Sequence, residues 1–265
     1  MENTSKLETV LKELKNKEAN FYFFTLDTKG NPTAGVANIY EHVKVLTELG
    51  YNAHILHEKD DYRLSGDEDG MGIKEWLGEE YAELSHVSIE SQELQVKPSD
   101  FMIIPEIFAS IMDQVKDMPC KKIVFVQSPE YMFEVLPIGK RWTIDYGFND
   151  AITTSERVSE HVKSHFPDAN THIVPVSIPE YFKNSDKPKK PIVTLVARNQ
   201  SDVIKITKSF YLQYPLYKWI TFKELRGISR KQFAQELSES CLAIWVDDLS
   251  GFGTFPIEAM ECKTP

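Results

Sequence analysis

Short apolar runs rich in β-branched and aromatic residues alternate along this chain with stretches whose apolar positions fall three and four apart. The first kind reads as strand buried on both faces, the second as amphipathic helix. Residues 3–17 carry Leu7, Val10, Leu11 and Leu14 at helical spacing among Lys and Glu. Residues 21–26 predict a strand, 27–34 a polar loop, and 35–49 a helix with Val36, Ile39, Val43 and Leu46 on one face. Gly50 stops that helix, and 52–56 is a second strand.

The same alternation continues. Residues 73–86 predict a helix, 101–104 a strand, 106–116 a helix and 122–126 a strand. A strand at 150–154, a helix over 155–165 and a strand at 172–176 close the first half. Residues 183–191 are polar, charged and Pro-rich, which reads as a solvated linker. The rhythm then restarts with strands at 192–197, 218–222 and 242–246. Helices are expected near 202–214, 229–240 and from Pro256. Alternation at this spacing predicts parallel sheets, and hence an α/β chain of two Rossmann-like doubly wound domains. Their expected bounds are 1–182 and 192–265, the second domain incomplete.

The 265 residues suit one large domain or two ordinary ones, and 42% hydrophobic with 26% charged residues is a globular balance. A formal charge of -10 argues against a duplex-binding surface but allows a local basic pocket. Cys120, Cys241 and Cys262 are odd in number and lack ligand spacing, so reduced thiols and a cytoplasmic location are expected, with peripheral membrane association left open. No apolar run reaches bilayer length. No metal site is expected. Asp67–Gly70 fails the acidic pattern of a calcium loop, and His161 and His165, four apart, lack a zinc-protease glutamate and read as solvent-facing.

Candidate chemistry concentrates at the end of the chain. An apolar run, Leu242-Ala-Ile-Trp-Val246, leads into Asp247-Asp-Leu-Ser-Gly-Phe-Gly-Thr-Phe-Pro256 and then Ile257-Glu-Ala-Met-Glu-Cys262. A glycine loop lets backbone N–H groups approach a ligand, and a helix N-terminus beside it is an anion site. Glu258 would repel phosphate and is expected to bind hydroxyls. Upstream, Arg198 stands just past a strand and Lys205 lies seven residues on. Two such cations would neutralise a diphosphate, best as it leaves with extra negative charge. The bland reading, two unrelated surface cations and a strand–loop–helix joint without ligand, stands beside this one.

The stretch GFGTFPIEAMECKTP resembles the donor-site signature of the GT-B glycosyltransferases of family 4, usually written with two glutamates eight apart. Glu258 falls on the second, while Ser250 stands where the first would be. Asp247 or Asp248 is a candidate stand-in. The resemblance implies that Arg198 and Lys205 are the donor-phosphate pair, that Gly253 and Thr254 supply backbone contacts, and that Glu258 holds donor hydroxyls. It implies too that the loop carrying Ala34 and Gly35, where the family commonly has two glycines, lies against the donor diphosphate. Glu106 and Gln127 fall near the acceptor side; Gln127 stands where the family often has a histidine and cannot act as a general base. Capping of the strand end is an equally good account of it.

The family transfers a sugar from a nucleotide-diphosphate donor, with retention and without a metal or other cofactor. The acceptor would be a glycan, a lipid-linked molecule or a small molecule. In this family pattern the first half holds the acceptor, the second the donor, and the chain would continue into another strand after Pro265, so truncation is expected. Ser250 and Gln127 also feed an alternative, a non-catalytic relative that binds a nucleotide or a partner protein. A dehydrogenase is disfavoured, because neither 21–26 nor 192–197 is followed by a G-x-G-x-x-G turn.

Overall fold

The computed structural model describes residues 18–28, 33–68, 70–90, 94–247 and 253–265. The helix expected over 3–17, and Asp248 and Ser250, lie outside the described residues. Two compact units divide the chain. The first includes Gly35–Tyr62 and Glu83–Pro175, and the second includes Arg63–Ala82 and Val176–Pro265.

The first unit is a seven-stranded sheet, all of its pairings parallel. Its strands are β1 (Asn20–Phe24), β2 (Asn52–His57), β3 (His86–Ser88), β4 (Phe101–Pro105), β5 (Lys121–Val126), β6 (Asp150–Thr153) and β7 (Asn170–Ile173). Their order is β3-β2-β1-β4-β5-β6-β7. The direction of winding therefore reverses between β1 and β4, the point at which open α/β sheets bind ligands. Helix α1 (Ala34–Glu48) follows β1 and buries Val36, Ile39, Tyr40 and Val43, the face its periodicity predicts. Tyr22, Phe24, Met102, Ile104, Val124 and Val126 alternate onto one face of the sheet and share a core with Met112, Trp142 and Phe148.

The single helix expected over 73–86 is two short ones, α2 (Ile73–Trp76) and α3 (Glu79–Ala82). Gly78 separates them at φ 137°, a conformation that only glycine adopts without strain. The last residue of that expected helix, His86, instead begins β3, whose three residues are too few to show alternation. Helix α4 (Ala109–Val115) precedes β5, and the short α5 (Tyr131–Val135) and α6 (Trp142–Tyr146) fill the crossover to β6. Helix α7 (Glu156–His165) is capped by Ser155, whose hydroxyl accepts from the Val158 N–H at 3.2 Å. His161 is not simply solvent-facing as expected, since its ring packs edge-on against Phe133 at 5.7 Å.

The second unit contains a three-stranded parallel sheet ordered β10-β8-β9, with β8 (Lys190–Ala197) flanked by β9 (Thr221–Glu224) and β10 (Ser240–Val246). Helices α8 (Gln200–Gln213) and α9 (Arg230–Glu239) make the connections, and α10 (Thr254–Glu261) follows β10. The strand expected at 218–222 is displaced to Thr221–Glu224, because a 3₁₀ turn at Pro215–Tyr217 keeps the chain turning as far as Ile220. Phe182, Leu225, Leu237, Phe255 and Cys262 form one core cluster, and Leu195, Ala197 and Val203 another.

Two features of residues 183–191 depart from a solvated linker. Strand β8 starts inside it, at Lys190. The Lys189 ammonium donates to the carbonyls of Ser238 and Cys262 at 2.8 Å each and to Thr264 Oγ1 at 2.9 Å. It thereby closes the C-terminal ends of α9 and α10 together, where unpaired carbonyls and the helix dipole favour a cation. The three cysteines are free thiols, Cys120 and Cys262 buried and Cys241 exposed.

Candidate functional site

In the first unit, three of the expected residues meet at the carboxyl edge of the sheet. Glu106 follows β4 and Gln127 follows β5. The buried Glu106 carboxylate accepts the Gln127 N–H at 3.1 Å and the Ser128 N–H at 2.6 Å. The Gln127 amide nitrogen donates to the Gly35 carbonyl at 3.2 Å, and its oxygen accepts from Asn38 Nδ2 at 3.0 Å. Loop, strand end and helix start are thus tied into one frame. Burial pushes the Glu106 carboxyl up to about 7, against the pull of the Ser128 and Gln127 amides. Ala34, exposed, opens α1 beside Gly35.

A second cluster on this edge has no sequence motif. His57 ends β2, is buried, and lies with Nε2 2.9 Å from His86 Nδ1. The Tyr62 ring stacks on it at 4.0 Å. Burial, with His86 adding to it, lowers the His57 imidazole to about 3, so it is neutral at physiological pH. Only the parallel pairing of β2 with β3 brings these two histidines together.

In the second unit, the chain runs from β8 to β9 on one side and returns to β10 on the other, so the winding reverses between β8 and β10. Arg198 stands at that point. Its N–H donates to the Val246 carbonyl at 3.2 Å, and its guanidinium makes a two-point contact with Asp247, Nε–Oδ1 at 3.1 Å and Nη2–Oδ2 at 3.2 Å. The two-point contact with Asp247 fixes the plane of the Arg198 guanidinium. Lys205, in the second turn of α8, pairs with Asp202 at 3.1 Å and is largely exposed. Each of the two expected cations thus has its own carboxylate. Sequence reasoning missed a third cation here: Arg226 Nη2 donates to the Ala197 carbonyl at 3.2 Å, adjacent to Arg198 in the chain, while its Nε contacts Glu224 at 2.7 Å. The pairing of β8 with β9 is what carries it there.

Gly253 caps α10 in an ordinary extended conformation. A Cβ there would overlap the Trp245 ring on β10, so this glycine is needed for a close approach to the indole. That packing requirement is an account of Gly253 within the protein itself. Thr254 begins α10 and hydrogen-bonds Glu258 through its side chain. Glu258 is buried, and its Oε1 lies 2.7 Å from Arg230 Nη1. Arg230 also bonds Tyr181 and lies over the Phe182 ring at 4.9 Å. Burial raises the Glu258 carboxyl, and the Arg230 charge pulls it back part of the way. Glu258, expected on hydroxyls, has a protein partner in this structure. Among the described residues there is no group of three or more His, Cys, Asp or Glu arranged to hold a metal, and no helix long and apolar enough to cross a membrane.

Comparison with known proteins adds to this geometry. No family model matches the sequence. A curated α-1,6-glucosyltransferase of Actinobacillus pleuropneumoniae serotype 7 (strain AP76) is 25% identical over 260 residues, 92% of this chain and 71% of that protein. Among solved structures, a glycosyltransferase from Rickettsia africae ESF-5 matches with a TM-score of 0.59 and 12% identity over 93% of this chain and 78% of its own. The catalytic domain of starch synthase IV from Arabidopsis thaliana, bound to ADP and acarbose, matches with a TM-score of 0.51 and 10% identity over 93% and 81%. The fold, with its seven-stranded parallel sheet, resembles that of the GT-B glycosyltransferases.

Proposed function

We propose that this protein transfers a sugar from a nucleotide-diphosphate donor to an acceptor hydroxyl. The observation that carries the reading is the reversal of winding between β8 and β10, which sets Arg198 at the position where α/β sheets take phosphate-bearing ligands. Arg198 would bond the donor diphosphate in planar, two-point fashion and Lys205 would add a mobile point charge. Both interactions strengthen as charge develops on the leaving phosphate, so they lower the barrier rather than merely hold the donor. Arg226, anchored one residue from Arg198, joins them in this reading. The start of α10, at Gly253 and Thr254, offers backbone N–H groups to the donor, and Glu258, held by Arg230, is the carboxylate assigned to donor hydroxyls.

The assignment to family 4 is our reading of the signature around Glu258 alone. The curated relative's name supports glucose as the group moved. Its α linkage is also what retention would give from an α-linked nucleotide-glucose. Nothing in the proposed chemistry calls for a metal. The acceptor hydroxyl is assigned to the frame of Glu106 and Gln127 in the first unit. With both amide atoms of Gln127 bonded within the protein, its part would be to hold that frame.

The test is a thermal-shift screen against UDP, GDP, ADP, CMP and their common sugars, with Arg198→Ala alongside. A ligand at about a hundred times its Kd adds roughly 2.7 kcal/mol of stability. One nucleotide should raise the Tm of the wild type and not of the variant, and its glucose conjugate should be turned over, with the product anomer read by NMR. Binding without turnover would favour the non-catalytic relative, and no shift from any nucleotide would overturn the donor site.

A further inference from the structure

The second unit carries an exposed apolar surface far from Arg198. Leu212, Leu216 and Trp219 are 82%, 87% and 62% exposed, and Tyr214 and Tyr217 lie between them, about half exposed. Helix α8 starts at the carboxyl edge of β8 and runs back for 14 residues, roughly 21 Å at the usual helical rise, before this surface begins. It is therefore at the opposite edge of the sheet from the candidate donor site. The backbone that presents it is pinned. Tyr217 N–H donates to the Tyr214 carbonyl at 3.1 Å, Ile220 N–H to the Tyr217 carbonyl at 3.0 Å, and the Tyr211 hydroxyl to the Ile220 carbonyl at 2.5 Å. The rings of Tyr214, Tyr217 and Trp219 follow one another at 6.2 and 6.0 Å, backed by Phe210 on Phe222 at 5.0 Å.

Charge decides what covers such a surface. In a chain of net charge -10, residues 203–223 contain no Asp or Glu and four lysines, of which Lys205 pairs with Asp202 and Lys223 with Glu236. Lys208 and Lys218 are exposed among the apolar groups. The register of β9 on β8, Ile192 opposite Thr221, sets Lys190 at the same edge as Trp219, where it is paired with Glu239 and adds no net charge. Protein interfaces deplete lysine from their centres. Trp, Tyr and Leu interleaved with lysine are instead the composition of a segment lying in a lipid headgroup layer, where rings sit at the boundary and ammonium groups reach out to phosphates. We propose that Leu212–Trp219 is a docking surface for an anionic bilayer, into which Leu212, Leu216 and Trp219 insert while Lys208 and Lys218 contact lipid phosphates. This is independent of the proposed transfer reaction.

The molecule supplies its own reporter. Of four tryptophans, Trp76 and Trp142 are buried and Trp245 packs on Gly253, so lipid-dependent fluorescence changes report on Trp219. The whole chain should co-sediment with phosphatidylcholine vesicles containing phosphatidylglycerol at least about tenfold more strongly than with pure phosphatidylcholine, in a salt-dependent way. Tryptophan emission should move to the blue and be quenched by brominated acyl chains. Leu212→Ser/Leu216→Ser and Lys208→Glu/Lys218→Glu should each lower vesicle binding about tenfold or more, with the wild-type melting temperature retained as the control for folding. Trp219→Phe should abolish the emission change while keeping sedimentation. Absence of vesicle binding, or binding unaffected in both double variants, would overturn the proposal. So would a concentration-dependent dimer, abolished by the Leu variant, that sediments without lipid, because the surface would then be a contact between two copies.

Discussion

Arg230 and Glu258 form an ion pair 2.7 Å long in which the side chains are only 14% and 2% exposed. Twenty-eight residues separate them in the chain, and contact between α9 and α10 brings them together. The pair determines how the one glutamate of the signature is oriented, because Arg230 is in turn fixed by Tyr181 and by the Phe182 ring. Removing one partner of a buried pair leaves the other charge uncompensated, which costs far more than the pair contributes when intact.

Arg230→Ala should therefore destabilise the protein by about 3–5 kcal/mol, and replacing both residues with Met and Leu should recover most of that. Urea unfolding of the two singles and the double measures the coupling. If the single effects add, with a coupling below about 0.5 kcal/mol, the two side chains do not act as a pair.

Lys189 carries a structural role in spite of its polar surroundings. Its ammonium satisfies the Ser238 and Cys262 carbonyls and Thr264 Oγ1 at once. Lys189→Met keeps the apolar stem and removes those charge-assisted bonds, so it should cost about 2 kcal/mol. Hydrogen exchange should show the loss as faster opening in the last turns of α9 and α10. Unchanged exchange there would show that the ammonium is not the cap.

Two buried groups of the first unit should shape the pH dependence of its stability, with opposite signs. The Glu106 carboxyl has a folded value of about 7, above its ordinary 4.5. Its contribution is fully present below 4.5 and is lost as pH rises through 7, by up to about 3 kcal/mol. His57 has a folded value of about 3, below its ordinary 6.5, so its contribution is present above 6.5 and is lost as pH falls from there towards 3. Glu106→Gln should flatten the loss between pH 5 and 8 while leaving the acid limb, and His57→Asn should flatten the acid limb. Chemical denaturation across pH 4–8 checks both, and a Glu106→Gln profile parallel to the wild type would refute the assignment.

The alternation of apolar runs and amphipathic stretches, read residue by residue, determined most of the elements and their class, but not β3, α5 or α6. Strands such as β4 and β5 are apolar on both faces, a pattern that only a covered parallel sheet accommodates. Two helix starts expected from the sequence, at 155 and 229, are held by local hydrogen bonds, in each of which an N-cap serine hydroxyl accepts from the backbone N–H three residues on. Local signals also placed Arg198, Gln127 and Gly35 at strand ends and helix starts, because those positions follow from the element boundaries. What needed the tertiary structure were relations between residues far apart in the chain. Arg226 beside Arg198, His57 on His86 and Arg230 on Glu258 each depend on which strands pair and which helices pack. Periodicity is set by a residue's nearest neighbours along the chain, whereas pairing is set by the packing of whole elements. A lysine in a Pro-rich stretch therefore looked solvated until the two helix ends that it joins were in place.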